Sequence, residues 1–148
     1  MAERWNRVLV CGGRDYDDWE AVRNRLAKLP NWCVIIQGGA SGVDLLAKLA
    51  ADYLGMHTAE VPAQWTRYGK SAGPRRNAAM LALRPELVIA FPGGRGTANC
   101  IRQARAAGIR VEDRSGLYGA ETGASGKDNS QVPKSGPQIL ADEEEQDG

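Results

Sequence analysis

The sequence is short of the residues that metal centres and disulfide frameworks need. It holds three cysteines and one histidine in 148 residues. Cys11, Cys33 and Cys100 each sit in or beside an apolar segment, none in a CxxC spacing, and with the lone His57 they form no plausible metal cluster. They read as small buried side chains in a reducing cytoplasm, and neither a metal nor a cofactor is expected. There is no apolar run of about 18 residues, the length a membrane-spanning helix needs. The N-terminal MAERWNRVLV has no separate apolar run with a small-residue cleavage site, so it does not read as a secretory signal and a cytoplasmic location is expected. Net charge is also small, +1.

That small total conceals an asymmetry. Residues 1–114 carry a net of +6 and residues 115–148 a net of −5. The basic excess of the first part suits an anionic ligand, but it is too small to argue for a long nucleic-acid footprint. The stretch from Ser115 onward is rich in Gly, Ser, Pro and acids, and its apolar residues show no period. It is expected to be a disordered acidic tail, with residues 1–114 forming one domain.

Within that domain short apolar runs alternate with helical patterns. VLVC (8–11), CVIIQ (33–37), the segment 57–61, LVIAF (87–91) and 109–111 read as strands. Helices are predicted over 19–29, from about 43 to 54 with Gly55 as the stop, from 73 or 74 to 83, and from the end of the GGRGT loop to about 107. Trp65, Tyr68 and Gly69 fall in a loop. Strands read as continuously apolar and alternating with helices predict an α/β, Rossmann-like three-layer sandwich around a mostly parallel sheet. In such sheets ligands bind beyond the carboxyl ends of the strands.

Three Gly-rich loops follow predicted strands: Gly12-Gly13-Arg14-Asp15, Gly38-Gly39-Ala40-Ser41-Gly42-Val43-Asp44, and Pro92-Gly93-Gly94-Arg95-Gly96-Thr97. Parallel strands would bring all three to one edge. There, glycines let a ligand approach the main chain, and N–H groups at helix starts point at an anion. Arg95 is a candidate fork donor to phosphate, and Thr97 either caps its helix or donates a hydroxyl. Asp44 either accepts from a ribose hydroxyl or base, or complements a helix N-terminus. Asp15 either reaches the ligand or braces its loop. Arg75, Arg76 and Asn77 open a helix, a placement of two cations that a bound anion would offset. Trp65 and Tyr68 either stack on a base or pack on the domain. Arg102 and Arg105 read as a solvated face.

With these residues in view the chain resembles the SLOG superfamily of Rossmann-like domains, in its YspA-like branch. The resemblance rests on CGGRDY (11–16), QGGASGVD followed by AKLAADYLG (37–55), VPAQWTRYGKSAGPRRNAAM (61–80), and AFPGGRGT followed by ARAAGI (90–109). The related Lonely Guy enzymes cleave nucleoside monophosphates. They share the PGGxGT loop but continue it to a catalytic Glu, where this chain has Cys100. Arg76 and Met80 match a second motif of those enzymes, while Asn77 replaces its Lys. The GGASGVD segment also looks like DprA-type proteins, which bind single-stranded DNA.

The resemblance therefore implies a phosphate-binding half-site without its catalytic carboxylate. The reading is a nucleotide or nucleotide-derivative binder, acting as sensor or carrier. The site residues are Gly12, Gly13, Arg14, Asp15, Gly38, Gly39, Ser41, Gly42, Asp44, Arg76, Asn77, Pro92, Gly93, Gly94, Arg95, Gly96 and Thr97. A phosphoribohydrolase-like N-glycosidase and a single-stranded nucleic-acid binder are the alternatives, with nucleic acid the weaker. A homo-oligomer is implied by the resemblance alone.

Overall fold

The computed structural model describes residues 4–115; the acidic tail expected after them lies outside the described residues. Five strands are present: β1 (Arg7–Cys11), β2 (Val34–Gln37), β3 (His57–Glu60), β4 (Leu87–Ala90) and β5 (Arg110–Asp113). They alternate with α1 (Trp19–Leu26), α2 (Val43–Leu54), α3 (Trp65–Tyr68), α4 (Ala72–Ala82) and α5 (Arg95–Ala106), and a 3-10 turn, Gly69–Ser71, joins α3 to α4. All strands are parallel, in the order β3-β2-β1-β4-β5. This is the α/β, Rossmann-like architecture.

The two-residue period of β1 divides the core. Val8 and Val10 face α1 and α2, where they pack with Val22, Leu26, Val43, Ala47, Ala50 and Ala51. Leu9 and Cys11 face α4 and α5 and pack with Met80, Cys100, Ile101 and Ala104. The small Ala47, Ala50 and Ala51 let α2 lie close against the sheet, and all three are fully buried.

Three details differ from the sequence reading. Trp65, Tyr68 and Gly69, expected in a loop, form the short helix α3 and the start of the 3-10 turn that follows it. β3 and β5 are not continuously apolar buried strands: both are edge strands, so one flank meets solvent and polar residues such as Glu60 and Glu112 are accommodated. The buried Arg25 of α1 reaches across to Glu112 with two hydrogen bonds, 2.8 and 2.9 Å, and ties that edge to the helix layer. In addition, α1 stops at Leu26 rather than Leu29. Pro30 disfavours helix in the residue before it, and Leu29 closes the end with an N–H bond to the Leu26 carbonyl, 3.0 Å. The start of α1 is fixed by Asp18, whose carboxylate accepts from the Ala21 N–H at 3.0 Å.

Connections from β1 run to β2 and β3 on one side, and those from β4 run to β5 on the other. The loops after β1 and β4 therefore leave for opposite faces and open a crevice between adjacent strand ends. Its floor is built by close backbone approach. The Gly13 N–H donates to the Pro92 carbonyl at 2.7 Å, and the Gly13 carbonyl accepts from the Val43 N–H at 3.1 Å. Gly42 makes the second contact possible. Its φ is +72°, and a Cβ there would stand 2.1 Å from the Gly13 carbonyl oxygen.

Gly55 gives a control, since its φ is +77° but nothing lies within 4 Å of a Cβ built there. Gly55→Ala is expected to cost about 1–2 kcal/mol, the left-handed strain alone. Gly42→Ala adds steric conflict with the neighbouring loop, for a total of roughly 2–5 kcal/mol. Urea unfolding of both variants checks this, and equal losses would contradict the loop contact.

Candidate functional site

A small cleft of about 30 Å³ sits in the crevice, lined by Cys11, Gly12, Arg14, Ala40, Asp44, Arg76, Asn77, Met80, Gly96 and Thr97. All three Gly-rich loops contribute, so the expected convergence at one sheet edge is what the structure has. Seven of the lining residues, Gly12, Arg14, Asp44, Arg76, Asn77, Gly96 and Thr97, are ones the sequence singled out as site residues. Cys11 and Ala40 were not, because as small residues inside apolar or Gly-rich segments they carry no polar signal. Met80 had been noted only as a motif match.

Many amides of these loops are already bonded within the protein. Gln37, fully buried, accepts from the Gly39 N–H at 2.6 Å and donates to Glu60 at 2.9 Å, which stiffens the turn after β2. The Asp44 carboxylate accepts from the N–H of Ala40 at 3.1 Å and also from that of Gly38. Gly13 donates to Pro92. The glycines thus serve loop-to-loop contact more than ligand contact, and Pro92, Gly93 and Gly94 support the cleft rather than line it.

The helix starts also differ from expectation. Arg95, Gly96 and Thr97 form the first turn of α5, not a loop, and the N-cap is Gly94, so Thr97 does not cap the helix. Thr97 is buried, with its hydroxyl folded against Gly93. The N–H groups of Gly96 and Thr97 have no backbone or side-chain acceptor among the described residues. As first-turn amides they are donors available to an anion in the cleft.

The two arginines at the start of α4 do not need a ligand to offset them. Arg76 donates to the Gly38 carbonyl at 2.7 Å and lies near Asp44. Arg75 donates to the Ser71 hydroxyl at 3.1 Å and stacks over Tyr68, 4.2 Å from the ring centre. Asn77 is buried and donates to Gly96 O (3.2 Å) and Asn99 Oδ1 (3.1 Å), so it joins α4 to the first turn of α5. Besides Gly13, Gly38, Gly39, Gly42, Pro92, Gly93 and Gly94, three expected site residues with polar side chains do not line the cleft. Asp15 and Arg95 are exposed, and the Ser41 hydroxyl donates to the Arg14 carbonyl at 3.2 Å, latching two loops together. The loop curvature that turns them outward has no sequence signal.

Cys100 lies behind the cleft, in the α5 face of the core, and does not line it. The hydrogen bond with Cys100 and burial together push the Cys11 thiol well above its ordinary value, so it stays protonated and non-nucleophilic at neutral pH. Asp44 is the ionisable group of interest. It is 7% exposed, and burial pushes its carboxyl up to about 6, only partly offset by Arg76, the Ala40 and Gly38 amides, and Arg14.

A cleft at a topological switch point, lined by residues of all three Gly-rich loops together with Arg76 and Asn77, marks a Rossmann-like α/β domain. Comparison with known proteins narrows the class. A profile described as the YspA, cpYpsA-related SLOG family matches residues 6–68. The "Gene 61 protein" of Mycobacterium phage D29 is 36% identical over 116 residues, which covers 71% of this chain and 93% of that protein. The chain belongs to the YspA, cpYpsA-related SLOG family. Among solved structures, DNA processing protein A (DprA) from Streptococcus pneumoniae is similar in fold, with a TM-score of 0.63 at 24% identity. The match covers 72% of this chain and 49% of that one, so the chain spans about half the length of that structure.

The raised Asp44 value has a consequence for stability. The folded chain holds this proton more tightly than the unfolded chain between about pH 4 and pH 6. The contribution is present at the acid end and lost as pH rises through about 6. The stability of the wild type minus that of Asp44→Asn is therefore expected to fall by roughly 2–3 kcal/mol from pH 4 to pH 7. Urea titrations at each pH measure it; a flat or rising difference would count against a buried, proton-holding Asp44.

Proposed function

We propose that the cleft binds the phosphate of a nucleotide or nucleotide-derived ligand, and that the protein acts as its sensor or carrier. The observation that carries this reading is convergence. Arg14 and Arg76, which carry guanidinium forks, and Gly96 and Thr97 of the first turn of α5 line one small volume. Cationic forks and helix-start N–H groups are the donors that phosphate oxygens take. Size adds a constraint, because about 30 Å³ suits the oxyanion group and not a whole nucleotide. The rest of the ligand then lies over the open mouth. There the Arg14 guanidinium sits 5.9 Å from the Trp65 ring and offers a planar surface to a base. Membership of the SLOG family and the switch-point position support the same assignment.

A second reading, hydrolysis of an N-glycosidic bond, is favoured by one observation. The Lonely Guy glutamate is absent, but Asp44 borders the cleft with a proton affinity suited to acid–base work near neutral pH.

A thermal-shift panel of mononucleotides, cyclic nucleotides and ADP-ribose derivatives tests the first reading. A ligand at a hundred times its Kd adds about 2.7 kcal/mol to folding stability. At least one phosphorylated ligand is expected to raise Tm, its dephosphorylated form is not, and Arg76→Ala removes the shift. A panel without any shift overturns the proposal. Release of free adenine from AMP, lost in Asp44→Asn, would move the assignment to the hydrolase.

A further inference from the structure

From residue 61 to residue 85 the chain contains Arg67, Lys70, Arg75, Arg76 and Arg84, and no Asp or Glu. In the fold all but Arg84 lie on the α3–α4 segment beside the cleft; Arg84 follows α4 at the far end of the strands, where its carbonyl accepts from Arg7 Nε at 3.0 Å. Arg67 and Arg75 both lie over Tyr68, at 5.1 and 4.2 Å from its ring centre. Arg67, Lys70 and Arg75 are exposed, and among the described residues none of the three is ion-paired with a carboxylate. Four cations elsewhere are: Arg25 and Arg114 with Glu112, Lys48 with Glu60, Arg105 with Asp113. A basic surface held in place by aromatic stacking yet left without acids fits an acidic peptide.

We propose that this surface is a docking site for such a peptide, and that the run Asp142–Asp147 of the same chain occupies it. Charge is complementary, since five of those six residues are acids. Position agrees as well. β5 is parallel to its neighbours, so it ends at the sheet edge where the cleft opens. The chain leaves that edge with the Arg114 N–H bonded to the Ala90 carbonyl at 2.7 Å and its guanidinium 5.8 Å from the Phe91 ring. The stretch from Ser115 to Asp142 can extend over ~90 Å, far more than the width of a domain whose radius of gyration is about 13 Å. Docked there, the acids compete with a phosphate for the cleft, a consequence that rests on the ligand reading above.

Carbodiimide coupling on the full-length chain tests the docking without any ligand. The reagent joins a carboxylate to an amine only in direct contact, and Lys70 is the one lysine in the surface. Mass spectrometry is expected to find Asp142–Asp147 joined to Lys70 many-fold more than to Lys28, which lies at the opposite edge of the sheet. Salt at ~0.5 M, which shortens screening to a few Å, is expected to abolish the product. The exposed-site double variant Arg67→Glu/Arg75→Glu, checked for folding by Tm, is expected to do the same. Equal coupling to Lys28, or no coupling to Lys70, overturns the proposal. So does coupling found only between ¹⁴N- and ¹⁵N-labelled chains in a mixture, which would assign the surface to a second copy. A single-stranded oligonucleotide bound at Lys70 in the absence of any coupling would assign it to nucleic acid instead. If coupling holds, neutralising the five acids is expected to tighten binding of whichever phosphorylated ligand the thermal panel identifies by several-fold. Failure of that step alone leaves the docking intact and counts against the shared cleft.

Discussion

The hydrogen bond from the Gly13 N–H to the Pro92 carbonyl, 2.7 Å long, is the contact around which the site is arranged. It joins the loops after β1 and β4 at the point where strand order reverses. Without it the two chains would diverge to opposite faces of the sheet and the crevice would have no floor. Val43 then docks through its N–H onto the Gly13 carbonyl, which sets the start of α2 and brings Asp44 to the cleft. On the other side Pro92 leads into Gly93 and the first turn of α5, whose Gly96 and Thr97 line the same volume. Three helices are positioned by one loop junction, because α4 is joined to α5 through Asn77.

This junction changes what the glycine-rich loops are for. Read as a ligand cradle, each Gly pair supplies amides to an anion. In the fold, the amides of Gly13, Gly38, Gly39 and Ala40 are bonded within the protein, and the glycines let backbones meet. Buried amides must be satisfied somewhere, and here the second loop satisfies them with its own Gln37 and Asp44. The side chains with polar groups that line the cleft are fewer than the motifs suggest: Arg14, Asp44, Arg76, Asn77 and Thr97.

The electrostatic pattern follows the same logic. Asp44 is pushed up to about 6 because burial outweighs its neighbours, even though Arg76 stands close. It is half ionised near pH 6 and mostly ionised at pH 7. The Cys11 thiol at the cleft is held protonated by its contact with Cys100 and by burial.

Most of the architecture was legible from residue pattern. Apolar runs at 8–11, 33–37 and 87–91 needed no tertiary information, because strands covered on both faces must be apolar along their length. The helix stop at Gly55 followed from its left-handed conformation. Motif order pointed to the family, and with it to one sheet edge for the loops. What only the folded chain decided is which polar groups face inward. Asp15, Ser41 and Arg95 turn away while Asp44, Arg76 and Asn77 turn in, and Thr97 lies in a helix instead of capping it. Such choices depend on loop curvature and on which hydrogen-bond partner lies nearest in space. The Gly38 carbonyl is 38 residues from Arg76, and Gly96 and Asn99 are 19 and 22 residues from Asn77, beyond the reach of any local pattern.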